Sequence, residues 1–425
     1  MPETITAGQM PRSLFITNDF PPRIGGAQSY YWGMIQTLDP GEVVVLAPAH
    51  RDAAAFDATH PYTVVRAGRS VLWPTAALRR QAEGLIACHQ LQLVQLGHPL
   101  PAGLLGPALR RSTGRPYLVF LGGAEVTLPA AMPVIGSLLR HVLRNAALLV
   151  TVSEFTAAAA TRVTRGKTPA RVLRPALDVQ ALVPPSDDEV TAARARLKVD
   201  GELIICLGRL VPRKGQDKLV EALALLSAEF PRAELTLIGS GRLARALRAR
   251  ARRLGVADRV HLTGALPDDQ VREWLRAADV FASPCRSRWA GLEVEGYGIV
   301  FAEAALMGLP VVAGRSGGAP EAVADGGSGL VVDGDSAAQV AQALAHLLRL
   351  SPAQRREMGQ RGRALALARH DPAVAGQRYR DLLIEMDQHE PGKREIGQRE
   401  SEHREPPQGE PTQSEPKQAQ GAGGR

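Results

Sequence analysis

Long hydrophobic runs, paired cysteines and aromatic side chains are all scarce in this chain. No stretch of about 18 apolar residues occurs, so no membrane-spanning helix is expected. The N-terminus lacks the basic, apolar, small-residue order of a secretory leader, which points to a cytoplasmic protein. The three cysteines, Cys88, Cys206 and Cys285, lie far apart and form no CxxC or Cys/His spacing, so neither a disulfide framework nor a zinc site is indicated. Aromatic residues make up only 4% and no nucleic-acid-binding motif is present; the net charge of +8 therefore does not imply a nucleic-acid partner.

What remains is the composition of a soluble globular enzyme, with 45% apolar and 22% charged residues. At 425 residues the chain exceeds what one hydrophobic core usually serves, and two domains are expected. The positive charge is uneven: Met1 to Pro185 holds 17 Lys and Arg against 10 Asp and Glu, whereas Ser186 to Asp387 holds 28 against 26. Such a basic first half is either an arginine-rich solvated face or a surface for anionic lipid headgroups, where each nearby cation contributes about 1 kcal/mol.

Short apolar, β-rich runs alternate with helix-length segments. Leu14 to Thr17, Val43 to Ala47, Leu91 to Leu96, Tyr117 to Leu121 and Leu148 to Val152 read as strands of one α/β domain over 12–182. Near-continuous apolar strands separated by helices imply a parallel sheet covered on both faces. A polar, proline-containing break opens a linker over 183–200, which includes the charged, helical Glu189 to Lys198. The alternation restarts in a second Rossmann-like domain over 201–387, at Leu203 to Leu207, Leu235 to Ile238, Val260 to Thr263, Val280 to Ser283, Pro310 to Ala313 and Leu330 to Val332. Its final helices are expected to return toward the first domain. From 388 to 425 periodicity is lost among Glu, Gln, Pro, Gly and Arg, and a disordered tail is expected.

Three segments carry chemistry. After the strand Leu203 to Leu207, Gly208 and Arg209 are followed by Val211, Pro212, Arg213, Lys214 and Gly215. Ligands of open α/β sheets bind at the carboxyl ends of strands, where the Arg209 guanidinium can fork onto phosphate and Lys214 supplies a point charge. A surface turn with ordinary basic residues is the competing reading. The second segment, Glu295 to Glu303, is Glu-x7-Glu, beginning as a glycine loop and becoming a helix. Free N–H groups at that helix start, around Ile299 and Val300, can receive phosphate oxygens, and Glu303 can accept from ribose hydroxyls while Glu295 faces the sugar. The third is Asn18 to Ser29 after the first strand, where Gly25 and Gly26 permit close backbone approach and Asp19 is the polar candidate. No GxGxxG follows either domain's first strand, which speaks against a dinucleotide dehydrogenase. Two features are set aside: Asp333, Gly334 and Asp335 read as a turn and helix N-cap, and His98 reads as a loop histidine with no carboxylate partner in sequence.

On these residues, and on Cys285 to Arg288 and Gly317 to Glu321, the chain from about Ser13 to Leu383 resembles the retaining glycosyltransferases of family 4. It is most similar there to the GDP-mannose-dependent enzymes that extend phosphatidylinositol mannosides. The resemblance implies a GT-B fold, two Rossmann-like domains facing each other across a cleft. It also implies donor binding by Arg209 and Lys214 at the diphosphate, Glu295 at the hexose, Ile299 and Val300 at a phosphate, Glu303 at the ribose and Leu266 at the base. No metal or other cofactor is implied; cations and a helix end stabilise the leaving diphosphate. The implied acceptor is a glycolipid or glycan, reached as a peripheral protein at the inner membrane face. One departure stands out: relatives carry a His-Gly-x-Glu element after the fourth strand of the first domain. Here the segment is Leu121, Gly122, Gly123, Ala124 and Glu125, with glycine and alanine where the closest relatives have histidines. That keeps open another nucleotide sugar with a soluble or polysaccharide acceptor, a role for His98, or a sugar-nucleotide-binding protein without transfer.

Overall fold

A computed structural model describes residues 10–388, and apart from Gln388, which closes the last helix, the expected tail lies outside them. Seven strands form the first sheet: β1 (Ser13–Ile16), β2 (Val43–Pro48), β3 (Thr63–Ala67), β4 (Leu93–Leu96), β5 (Tyr117–Leu121), β6 (Leu148–Thr151) and β7 (Ala170–Val172). Six form the second: β8 (Leu203–Leu207), β9 (Glu234–Ile238), β10 (Val260–Gly264), β11 (Val280–Ser283), β12 (Val311–Gly314) and β13 (Gly329–Val332). Every strand pairing is parallel, because helices of eight or more residues cross over between most neighbouring strands. The central strands are buried along their whole length, as their continuous apolar runs require. The sequence reading missed β3 and β7. Both are edge strands with half-exposed residues, so neither needs a continuous apolar run.

The strand orders are β3-β2-β1-β4-β5-β6-β7 and β10-β9-β8-β11-β12-β13. In each sheet the order reverses beside the first strand, between β1 and β4 and between β8 and β11. Loops leaving those strands diverge and open a crevice at their carboxyl ends.

The segment 183–200 contains a built element. Asp187–Leu197 is a helix opened by a capping box of Ser186 and Glu189, and it packs against the second sheet's side. Arg194 ties it there by donating to Ala277 O at 2.9 Å and pairing with Asp279 at 3.1 Å. The last helix, Pro372–Gln388, packs on the first sheet, where Tyr379 is buried beside Phe120 and donates to Gln95 Oε1 at 2.6 Å. His370 lies at this crossing. Its burial, together with Arg174 and Arg369, outweighs the Pro175 contact and holds the imidazole pKa down to about 4. The ring is therefore neutral, with Nδ1–H donating to Pro175 O at 2.8 Å and Nε2 accepting from the Tyr297 hydroxyl at 2.7 Å.

Candidate functional site

At the first sheet's switch point the loops after β1 and β4 bring two side chains together. His98 Nε2 lies 3.2 Å from Asp19 Oδ2, and the other Asp19 oxygen accepts from Gln28 Nε2 at 2.6 Å. No carboxylate partner for His98 is visible in the sequence, and the structure corrects that reading. Asp19 and His98 are 79 positions apart in the chain, and only the β1–β4 pairing makes them neighbours. The ring stands edge-on to Tyr31, and its Nδ1 is buried with no hydrogen-bond partner among the described residues. Gly25 precedes the helix Gly26–Ile35 in extended conformation, and a Cβ on Gly26 would meet open space. Gly26 therefore leaves backbone uncovered at the crevice, whereas the space beside Gly25 is taken by the Gln28 side chain.

At the second switch point the loops after β8 and β11 do the same with opposite charges. Lys214 Nζ is 3.0 Å from Glu295 Oε2, and each residue is only 7% exposed. Arg213 Nε approaches the same oxygen at 3.6 Å, and the Cys285 thiol donates to it at 3.7 Å. Burial alone would raise the Glu295 carboxyl and lower the Lys214 ammonium. Their mutual attraction overcomes both, holding Glu295 below and Lys214 above their ordinary values. Lys214 thus pairs its charge with a buried carboxylate. Arg209 is exposed, with no ion pair among the described residues, while its carbonyl accepts from Gln216 Nε2 at 3.0 Å. That side chain is free to reach a ligand.

The Glu-x7-Glu segment folds as its residues predict. Gly298 sits at φ 82°, the left-handed region glycine enters without penalty, and turns the chain into the helix Ile299–Leu306. No side chain caps that helix, so its first N–H groups remain available to an anion. Phe301, Ala302, Ala304 and Ala305 bury its inner face, which leaves Glu303 half-buried and without a hydrogen-bond or ion-pair partner among the described residues. Burial, reinforced by Asp268 and only partly offset by Lys214, pushes its carboxyl up to about 7. Leu266 packs part-buried on the core beneath this loop.

The Glu303 shift has a thermodynamic sign. Between its ordinary value of 4.5 and about 7, the folded chain keeps a proton that the unfolded chain has released, so stability falls as pH rises through that window. Glu303→Gln should remove this loss. Its melting temperature relative to the unmodified chain is expected to rise from pH 5 to pH 8, and a difference independent of pH would refute the assignment.

The two lobes meet around these clusters. Ser153 Oγ, after β6, donates to Gly296 O at 2.8 Å, and Thr127 Oγ1 donates to Leu292 O at 2.7 Å. Glu321, from the second lobe, accepts from the free N–H groups of Glu154 and Phe155 at 3.0 and 2.9 Å, at the start of the first-lobe helix Glu154–Thr164. It also pairs with Arg174 at 3.3 Å. Sequence reasoning noted Glu321 only within a motif; its partners sit 166 and 167 positions away and left no local signal. Gly122 and Gly123 lie directly against Gly296, and the Glu125 carboxylate takes the Gly122 N–H and fills the space a side chain at 122 would enter.

Asp333 and Asp335 form a turn in which Asp335 N–H donates to Asp333 Oδ1 at 3.0 Å. The N-cap of the following helix is Ser336, not Asp335, because the Ser336 hydroxyl accepts from Gln339 N–H. Among the described residues no group of three His, Cys, Asp or Glu side chains is placed to hold a metal ion, and no helix is long and apolar enough to cross a membrane.

Comparison with known proteins places the chain. Residues 187–365 match the family described as glycosyl transferases group 1, and residues 24–181 match glycosyltransferase family 4. A Mycolicibacterium smegmatis GDP-mannose-dependent alpha-(1-6)-phosphatidylinositol monomannoside mannosyltransferase is 38% identical over 87% of this chain and 97% of its own. A Corynebacterium glutamicum enzyme named for the monoacylated form of the same acceptor is 35% identical over 89% and 98%. Among solved structures, the Anabaena protein Alr3699/HepE in complex with UDP superposes with a TM-score of 0.74 at 21% identity, covering 88% of this chain and 99% of its own. Sucrose-phosphate synthase from Thermosynechococcus elongatus does so with a TM-score of 0.70 at 21% identity, over 87% and 99%. At that identity the structural likeness establishes the shared GT-B fold.

Proposed function

This chain belongs to glycosyltransferase family 4, and from that membership we propose that it transfers mannose from GDP-mannose, with retention, to a phosphatidylinositol-mannoside-like glycolipid. The observation that carries the reading is the pairing of two polar clusters, one at each sheet's switch point, across the contact of Gly122 and Gly123 with Gly296. Arg209, Lys214 and the uncapped start of the helix Ile299–Leu306 stabilise negative charge as the diphosphate departs. No metal is required for that step. Glu295, fixed by Lys214, holds the hexose, Glu303 the ribose and Leu266 the base. A donor phosphate oxygen takes the acceptor proton, and Asp19 with His98 lies on the acceptor side.

A panel of GDP, UDP and ADP in a melting experiment tests the donor. Ligand at a hundred times its Kd stabilises by about 2.7 kcal/mol, a shift of several degrees. GDP is expected to give the largest shift and labelled GDP-mannose to yield a glycolipid product; turnover with UDP-sugars alone would discard the GDP assignment. Gly122 and Ala124, where the family resemblance implies histidines, favour one further reading, a different acceptor on the same donor chemistry.

The acceptor side also supports a peripheral role at the cytoplasmic face of a membrane. Ile24 is 98% exposed and Trp73 57%, and their loops are joined where Arg23 donates to Ser70 O at 2.7 Å and Asn18 bonds the Leu72 backbone. Binding to anionic vesicles that is lost in high salt is the expected result. Equal binding to neutral vesicles would remove the electrostatic part.

A further inference from the structure

We infer that Trp289 is a stacking platform for a six-membered polyol ring of the acceptor, a pyranose or an inositol; the inference rests on the transferase reading above. The chain holds four tryptophans, and Trp32 is packed among Phe20, Phe56 and Tyr62. Trp289 instead stands 54% exposed at the tip of a hairpin and joins no apolar cluster among the described residues. The hairpin is closed by Gly291 N–H donating to Arg288 O at 3.1 Å, with Arg288 bridged to Glu293. Its two central residues, Trp289 and Ala290, lie at φ 51° and 53°. That turn favours asparagine and glycine, and a bulky side chain in the left-handed region is unfavourable. Apart from the Arg288 guanidinium over its ring, no packing of the indole compensates among the described residues, and such strain is retained where a side chain is needed at a set place.

The surroundings define what the ring can take. The Arg288 guanidinium lies 5.0 Å from the indole centroid and is itself held by Glu293 at 2.8 Å. One face of the ring is thereby covered and fixed, which leaves the other for a ligand. The hairpin's stem is anchored beside Glu295, through Ser287 Oγ to Ser316 Oγ at 3.2 Å and Glu295 N–H to the same Ser316 oxygen at 3.2 Å. Its flank touches the opposite lobe at Thr127, three positions past Ala124. The indole therefore stands where the path to Glu295 passes between the lobes. A ring with C–H bonds on one face and hydroxyls at its rim matches a flat apolar surface bordered by Arg288 and Glu293.

The test uses the full chain and its variants. Trp289→Ala is expected to raise the acceptor KM about tenfold while kcat and the GDP-mannose KM stay within twofold, and Trp289→Phe to restore most of the loss. Trp289→Gly, which relieves the left-handed backbone, is expected to melt no lower than the unmodified chain yet to match Trp289→Ala in acceptor KM; a purely structural tryptophan would lower the melting temperature instead. Titration with methyl α-mannopyranoside and with myo-inositol, read by a ligand-induced change in tryptophan fluorescence that is lost in Trp289→Phe, distinguishes the two ring sources. An unchanged acceptor KM in Trp289→Ala, or equal changes in both substrates, overturns the inference. Failure of the unmodified chain to transfer from any nucleotide sugar would instead count against the transferase reading.

Discussion

Glu295→Ala is expected to abolish transfer, and Lys214→Ala to weaken GDP binding by roughly 10- to 100-fold, the scale of one charge-assisted hydrogen bond. Both residues are buried and 3.0 Å apart, so removing either one strands the other's charge. Breaking a buried pair from one side costs about 3–5 kcal/mol. The two effects separate by pH. In the unmodified chain the depressed Glu295 carboxyl contributes stability that is present above its unfolded value and is lost as pH falls through its lower folded value. In Lys214→Ala burial dominates, with Arg213 at 3.6 Å and the Cys285 thiol at 3.7 Å left to oppose it, and ionising Glu295 becomes costly as pH rises. The melting temperature of Lys214→Ala should therefore fall further below that of the unmodified chain at pH 8 than at pH 5. A constant gap would show that the two groups are not coupled.

Gly296→Ala is expected to be nearly as damaging to transfer for a different reason. A Cβ at 296 would be driven into the Gly122 carbonyl of the opposite lobe, and that atom belongs to backbone at the end of β5, which cannot rotate away. The clash is relieved by separating the lobes, since Ser153 and Gly318 crowd the same strip. The second lobe's own core does not depend on this contact. Gly296→Ala should thus keep most of its GDP affinity while losing about 100-fold or more in turnover, because misplacement of the reacting groups by about an ångström has that effect. Small-angle scattering should show a larger radius for the variant. Full turnover would show that this approach of the lobes is not part of the productive state.

Which features were legible in the sequence follows the range of the interaction that creates them. Eleven of the thirteen strands could be read: the central ones are apolar along their length, and the edge strands β10 and β13 still hold apolar residues, whereas β3 and β7, at the first sheet's edges, carry an arginine each. Arg209, Lys214 and the Glu-x7-Glu helix were legible because each stands within a few residues of a strand end or a glycine turn. The His98 partner was not, and neither was the Glu321 contact with the helix Glu154–Thr164, since the sequence holds no pattern linking residues 79 or 167 positions apart. The N-cap at Ser336 was misplaced by one residue because Asp335 and Ser336 are both capable caps and backbone geometry chose between them.

By itself, the sequence determined two α/β lobes and the types of residue at each strand end, because hydrophobic period and turn chemistry act over short stretches of chain. Tertiary structure alone decided that Lys214 meets Glu295, that Asp19 meets His98, and that Gly122 and Gly123 meet Gly296. The physical reason is that parallel sheets with reversed strand order gather distant loops at one edge. Which side chains then touch is set by packing between elements, a quantity that no local pattern encodes.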